Sequence, residues 1–462
     1  MGNEMSRSSR GIRPAVVFLP AAAVLVISIF LFHRHRGDGF DAEEFPLPVM
    51  YYIYATQGDS AATVDQPDMM PPGAWFPARD GGDDPESVPA AGREEIQRLR
   101  SLGYLAGYHD APVRQGTTVY DSTAVERGYN LMVSGHAPGA LLLDMQGEVV
   151  HEWYRHFDQS EVWPGSEEVD MEMQFWTRVN LQQDGELLAL IENMGIVRLD
   201  RDSNLLWASD FIQPHHDFDV SPDGLIYAIC KDVQLDPDYN PDRPILDELI
   251  VILDPGGHEI RRINIRHALE RSPYAPVLRR MPPEGDILHA NTIEYIHGDF
   301  QESIDPLREG TILLSLRTID LVCALDLDTE TVYWAESDLW YKQHQPTMLA
   351  NGNMLAFDNR GRKEHSRVVE IDPKTRRVVW SYQGAEGETF FSVGRGSNQR
   401  LSCGNTLITE SNQGRAFEVT PNGRIVWEYI SPYRAGENRE LIGTLFEMIR
   451  VRPEDVDGWL NG

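Results

Sequence analysis

Six strand pairs of one kind recur along this chain, and no other feature narrows the fold as much. GALLLDMQGEVVHEW, GIVRLDRDSNLLWAS, ELIVILDPGGHEIRRI, LVCALDLDTETVYWAE, RVVEIDPKTRRVVWSY and RAFEVTPNGRIVWEY each run from an apolar strand through Asp or Thr and a polar turn into a second apolar strand. Trp207, Trp334, Trp380 and Trp427 close four of them. β-Branched and aromatic residues around short polar turns are hairpin signals. A second hairpin precedes each one, with turns at Gly128, Gly185, Gly224, Gly310, Gly352 and Gly404. A unit of roughly 40 residues with four short strands is a propeller blade, and radial repetition shelters sheet edges without closing a single barrel. The fold class is therefore all-β, a six-bladed β-propeller over about residues 117–450. TLFEMIRV (444–451) is expected to supply a closing strand, and the longest interval, Gly224 to Gly310, marks a loop insertion. A sandwich or two smaller sheets would not explain the regular order of hairpin pairs or the returning Trp.

The segment before the propeller has a different character. Residues 14–32, PAVVFLPAAAVLVISIFLF, are uncharged and apolar, with Arg7, Arg10 and Arg13 before them and Arg34 and Arg36 after. Such a run can span a bilayer core. No small-x-small cleavage site follows it, so an uncleaved membrane anchor within residues 1–36 is favoured over a signal sequence. The propeller is then expected on the extracytoplasmic side. Residues 37–116 read as a linker, richest in Pro, Gly and Asp over 57–92, ending in a short helix at 93–108 (REEIQRLRSLGYLAGY), with the propeller domain at 117–462. A further helix is expected at 264–280 inside the longest insertion. The acidic stretches 158–172 and 232–248 read as exposed loops.

The formal charge of −31 excludes a nucleic-acid partner, because phosphate neutralisation needs a basic face. Cys230, Cys323 and Cys403 are far apart, and no CxxC occurs. Cys230 and Cys323 fall in strand patterns and read as core residues, although an exported chain could pair two of the three. No metal-ligand spacing and no phosphate-cradling Gly loop appears, so neither a metal nor another cofactor is expected. The sequence leaves the oligomeric state open.

The repeat turns scattered polar residues into a candidate site. His216 and His344 each stand eight residues before their turn Gly, and His289 opens the corresponding hairpin of the inserted unit. Equivalent positions in blades point at a common axis, so the three are expected at one channel mouth. The same counting across each hairpin pairs His216 with Lys231 and His344 with Asn359, and sets Arg317 opposite His289. It gives Thr177 and Glu192 in the second unit, and Gly396 and Ser411 in the last. Asn291 follows His289 by two and shares its strand face. Imidazole suits nucleophilic or proton-transfer work near neutral pH. An Arg among imidazoles and amides suits a tetrahedral oxyanion, since its planar fork binds sulfate or phosphate oxygens in pairs. Three His could also hold Zn²⁺ with an open position, but a neighbouring guanidinium counts against a dication. From the residues alone, three readings stay open: a transferase, a non-catalytic propeller that binds an anionic ligand or a protein partner, and a metal-dependent hydrolase or lactonase.

HHDFDVSPDGLIY, ILHANTIEY, ILLSLR and above all QHQPTMLANGNMLAFDNRG resemble the bacterial arylsulfotransferase family, and QRLSCGNTLITESNQGRAFEVTPNGRIVWEY resembles its last full blade. The resemblance covers roughly residues 117–450. It implies a six-bladed propeller that moves a sulfuryl group from a phenolic sulfate ester to a phenol, PAPS-independent, through a transiently sulfated His. The position matching that His is His344. His216, His289, Asn291 and Arg317 match other active-site positions, while Asn359 and Lys231 are substrate-binding candidates from the counting. The chain departs from the best-known members in lacking a sizeable N-terminal β-domain and in its apolar N-terminal run.

Overall fold

The computed structural model describes residues 75–77, 111–164, 175–210, 212–234, 236, 238–240, 245–283, 285–298, 300–301, 303–362, 365–384, 390–435 and 438–460. All lie in the second of two units into which the chain divides, Leu47–Gly462. The apolar run 14–32 and the helix expected at 93–108 lie outside the described residues. Among the described residues no helix is long and apolar enough to cross a membrane.

The unit is a six-bladed propeller. Each blade is built on four antiparallel strands with the inner strand at the channel, and in blade three the short Gly285–Asp286 adds parallel to Ile245–Leu253. Taking blades in chain order, the inner strands are Leu445–Val451, Trp176–Leu181, Pro214–Val220, Ala290–Tyr295, His344–Met348 and Ser397–Arg400. Blade one is thus completed by the end of the chain, whose Leu445–Val451 pairs with Tyr129–Ser134. The expected closing strand is present. The inner hairpin expected around Gly128 is not, because the strand that pairs there comes from the C-terminal end. Blade six gains a fifth, outer strand, Gly116–Tyr120. Trp75–Pro77, within the stretch read as linker, pairs with Leu441–Gly443.

The reason the central strands read as unbroken apolar runs is that both of their faces are covered. In Leu187–Ile191, Leu187, Ala189 and Ile191 pack toward blade one. The alternate residues Leu188 and Leu190 pack toward blade three. The same division repeats around the ring, giving one apolar cluster between each adjacent pair of blades. Each fully buried Leu or Ile adds about 1.5–3 kcal/mol. The inner strands have no strand beyond them, and side chains of neighbouring blades meet part of their exposed backbone edges. Asp217 accepts from Ile293 N–H (3.1 Å), Asp219 from Tyr295 N–H (2.8 Å) and Thr292 Oγ1 from Gln345 N–H (2.8 Å). The Gln399 amide holds both N–H and C=O of Arg450 on the closing strand.

The turn at Gly352 shows why glycine stands there. Its φ is +81°, and a Cβ would lie 2.7 Å from the Ser303 carbonyl oxygen. Two expectations about the insertion need correcting. In place of one helix over 264–280 there is a short α-helix, Ile265–Glu270, followed by a 3-10 turn, Ala275–Arg280. Residues 232–248 are not simply an exposed loop. The strands run on to Gln234 and restart at Ile245, and Asp247 and Glu248 are fully buried. The physical reason is pairing: Arg266 from the insertion holds Asp247 (2.8 Å) and Asp236 (2.7 Å), while Glu248 accepts from Ala290 N–H (2.5 Å).

Candidate active site

Five of the six inner strands carry a β-bulge near the same end. A bulge re-aims side chains at a strand end. In blade five one extra residue follows His344, with Gln345 at φ +45°. In blade three the irregularity spans His215, His216 and Asp217, and His216 has φ +61°. His289, just before the blade-four inner strand, has φ +53°. Left-handed backbone at non-Gly residues is costly and concentrates at functional sites.

His344 is buried, and its two ring nitrogens have different surroundings. Nδ1 lies 2.6 Å from Asn359 Oδ1 and 3.2 Å from the Lys342 carbonyl. Asn359 Nδ2 donates to the Ser392 and Arg395 carbonyls, both at 2.8 Å, which fixes its Oδ1 toward the ring. Two acceptors at Nδ1 require that this nitrogen carry the proton. Nε2 is left with its lone pair and has no hydrogen-bond partner among the described residues. Burial, and then the positive charge of Arg317, hold the His344 pKa well below 6.5 against the opposing Asn359 bond.

Around it stand the other expected groups. The His216 ring packs edge-on against His289 at 4.8 Å between centroids. His289 Nδ1 is bonded to Asp286 Oδ2. Burial resists ionisation of Asp286, yet the charge and hydrogen bond of His289, with Lys231 and Arg317, hold its pKa below the usual carboxylate value. Burial, His289 and His215 push His216 well below the usual histidine value. The Arg317 backbone N–H donates to the His289 carbonyl (2.9 Å), which sets the two residues side by side. The Arg317 guanidinium is buried. It makes no ion pair and no side-chain hydrogen bond among the described residues. Burial lowers its pKa, with Asp286 opposing.

A small polar cavity brings His216, Asn291 and His344 together with Thr177 and Gly396. Counting from the turns gave Thr177, His216, His344 and Gly396, and strand alternation from His289 gave Asn291. His289 and Arg317 flank the cavity rather than line it. Gly396 is required by space, since a Cβ there would strike the Phe357 ring at 2.5 Å. Asn291 Nδ2 donates to the Gln343 carbonyl (2.9 Å). Asn359, expected to bind substrate, has both ends of its amide engaged by the protein and orients His344 instead. The pairing of His216 with Lys231 does not hold. The bulge shifts the register, so Lys231 N–H meets the Gln213 carbonyl (3.2 Å) and its Nζ reaches Asn193 Oδ1 (2.5 Å).

Sequence reasoning missed several residues here. Arg178, Asp217 and Glu447 form an ion cluster in the channel, with Arg178 Nε 2.8 Å from Asp217 Oδ1 and Nη1 on Glu447. Burial raises the Asp217 pKa to about 7 against the pull of Arg178. Arg395 and Phe446 also line the cavity, the guanidinium 4.7 Å from the ring centre. His215, given no role from its position, contacts His216, Nδ1 to Nδ1, at 2.7 Å. Asp286 and Glu248 come from the insertion and its flanking strands, where no repeat count reaches. All three cysteines are free, Cys230 and Cys323 in the core and Cys403 exposed. Among the described residues no group of three or more His, Cys, Asp or Glu is arranged to hold a metal ion.

The fold and site define a six-bladed propeller whose channel mouth gathers His216, His289 and His344 beside the Arg317 guanidinium. The chain belongs to the arylsulfotransferase (ASST) family, whose model matches residues 182–432. That membership implies sulfotransfer on small phenolic substrates. No curated protein matches the chain. Among solved structures, a Bacteroides caccae protein of unknown function is 12% identical, with TM-score 0.44, covering 71% of this chain and 100% of its own. The Dos1 propeller is 13% identical, with TM-score 0.37, covering 69% and 73%. The WD40 propeller domain of Doa1 is 10% identical, with TM-score 0.39, covering 73% and 92%.

Proposed function

We propose that the protein transfers a sulfuryl group between phenols through a sulfo-histidine on His344, with no nucleotide donor. The observation that carries this is the state of His344, a residue that lines the cavity: proton on Nδ1, lone pair on a buried, unpartnered Nε2. The lone pair attacks sulfur in line, the N–S bond forms, and the S–O bond to the aryl group breaks. Arg317 and Asn291 stabilise charge on the equatorial oxygens, each well-placed donor being worth about 3–4 kcal/mol. His216 or His289 gives a proton to the leaving phenolate. An acceptor phenol then takes the sulfuryl group from His344 with the proton roles reversed. Positioning and charge neutralisation carry most of the work, as in phosphoryl transfer.

The test is mass spectrometry of protein mixed with a chromogenic aryl sulfate. A sulfated peptide containing His344 is expected, and the label should pass to an added phenol. Turnover without any sulfated histidine would replace this mechanism by direct transfer. We also propose that residues 14–32 anchor the propeller on the extracytoplasmic side, on the strength of their uncharged apolar run. Protease added to intact spheroplasts should then digest the domain, and full protection would reverse the topology.

A further inference from the structure

The His216 ring is the end of a buried chain of titratable groups. His216 lines the cavity. Its Nδ1 faces His215 Nδ1 at 2.7 Å. His215 Nε2 in turn lies 3.4 Å from Glu248 Oε1. His215 and Glu248 are both almost completely buried. The other Glu248 oxygen is occupied by the Ala290 N–H, so Oε1 is the one left for His215. Two neutral imidazoles cannot meet nitrogen to nitrogen unless one donates and the other accepts. The tautomer of His216 is therefore coupled to that of His215, while His215 Nε2 and Glu248 Oε1 lie within reach of each other, each without a hydrogen-bond partner among the described residues.

We propose that Glu248 is the proton store of the sulfotransfer reaction and that His215 connects it to His216. This rests on the sulfo-histidine reading above. In the donor half-reaction the S–O(aryl) bond breaks as the His344 Nε2–S bond forms. The departing aryl oxygen takes the Nε2 proton of His216. His216 Nδ1 takes the Nδ1 proton of His215, and His215 Nε2 takes the carboxylic proton of Glu248. One proton leaves Glu248, one reaches the phenol, and both imidazoles end as neutral as they began. In the acceptor half-reaction the phenol O–H returns its proton along the same path, and Glu248 is protonated again.

A relay of this kind solves a problem the site otherwise has. A single His216 could donate only as an imidazolium, a form its surroundings oppose. Burial, followed by Asp286 and Asp247, raises the Glu248 pKa well above the ordinary carboxylic value, against the Ala290 N–H and Lys231. Burial first, and then Lys231, His289 and Arg395, disfavour a charged ring at His215. Glu248 and His215 act through His216 and are positioning residues.

The test uses the full-length protein and two substitutions, Glu248→Gln and His215→Phe. Gln keeps the shape and the acceptor for Ala290 N–H but has no acidic proton, and Phe keeps the packing of His215 without its nitrogens. Rates of the donor half-reaction are compared for 4-nitrophenyl sulfate and phenyl sulfate. General acid catalysis is worth on the order of 10²–10⁴-fold, so we expect both variants to fall about 100-fold or more with phenyl sulfate and less than about threefold with the nitrophenyl ester. A purely structural role would lower both rates alike, and equal losses therefore overturn the relay. A second readout does not depend on turnover. The infrared difference between wild type and Glu248→Gln at neutral pH should contain the carbonyl band of a protonated carboxylic acid, and its absence also overturns the proposal. A wild type that takes sulfate from no donor would sink the sulfotransfer reading itself. A wild type that transfers normally, beside variants with unaltered leaving-group dependence, would sink the relay alone.

Discussion

His344 and His216 stand at the same distance from their turn glycines, yet the two rings are wired differently. His344 Nδ1 is tied to an amide oxygen and a backbone carbonyl, neither of which can release or accept a proton near neutral pH. His216 Nδ1 is tied to a second imidazole, with a carboxyl behind it. The first arrangement freezes one tautomer and leaves a permanent lone pair. The second lets the tautomer change. The partner of the far nitrogen, more than the residue type, decides what a buried histidine is fitted for.

The largest effect should come from removing the frozen lone pair. His344→Ala is expected to lose activity with every donor by on the order of 10⁴-fold or more, and to lose protein sulfation as well. A folded variant, judged by unchanged thermal unfolding, that still exchanged sulfate between phenols would erase the distinction between the two rings. Asn359→Leu should unlock the His344 tautomer while leaving the ring in place. A fall of about 100-fold or more is expected for all donors alike, since loss of the group that sets a catalytic histidine's tautomer can cost up to about 10⁴-fold; an unchanged rate would show that the amide does not set the tautomer. Arg317→Lys keeps the charge but loses the fork, and should cost about tenfold or more in the donor half-reaction. A rate like that of wild type would remove Arg317 from the sulfate site. Replacing the groups read as proton carriers should cost less, and selectively. His216→Ala and His289→Ala are each expected to retain more activity with nitrophenyl sulfate than with phenyl sulfate, because a good leaving group needs little protonation.

The smallest effect is a predicted constancy. Since burial and Arg317 hold the His344 pKa well below 6.5, the nucleophile stays neutral as pH falls past that value. The nitrophenyl sulfate half-reaction should be nearly flat through that range, and a steep loss centred near 6.5 would contradict the depression. Stability behaves oppositely. His215, His216 and His344 all have depressed pKa values in the fold. At these three positions the unfolded chain binds more protons below about 6.5, so their contribution to stability should decline as pH drops below it, opposed by Asp217 and Glu248, whose raised pKa values in the fold act the other way. Thermal unfolding against pH, with a shallower slope in a His216→Asn variant, checks the sign.

The sequence by itself determined the architecture. Hairpin periodicity, turn glycines and unbroken apolar runs each record a local requirement of the blade: a left-handed turn position, or a strand covered on both faces. The same periodicity placed Thr177, His216, His344 and Gly396 around one cavity, because every blade repeats one geometry about one axis, and strand alternation from His289 added Asn291. Only the tertiary structure decided what each ring does. Lys231 lost its expected partner because a bulge of extra residues cannot be counted from a turn. Asn359 became an orienting group because Ser392 and Arg395, far along the chain, claim its NH₂. Asp286 and Glu248 were out of reach since they belong to an irregular insertion and an extended strand, where repeat logic stops. Proton positions depend on which atoms face each other across blades, and those contacts exist only after the ring has closed.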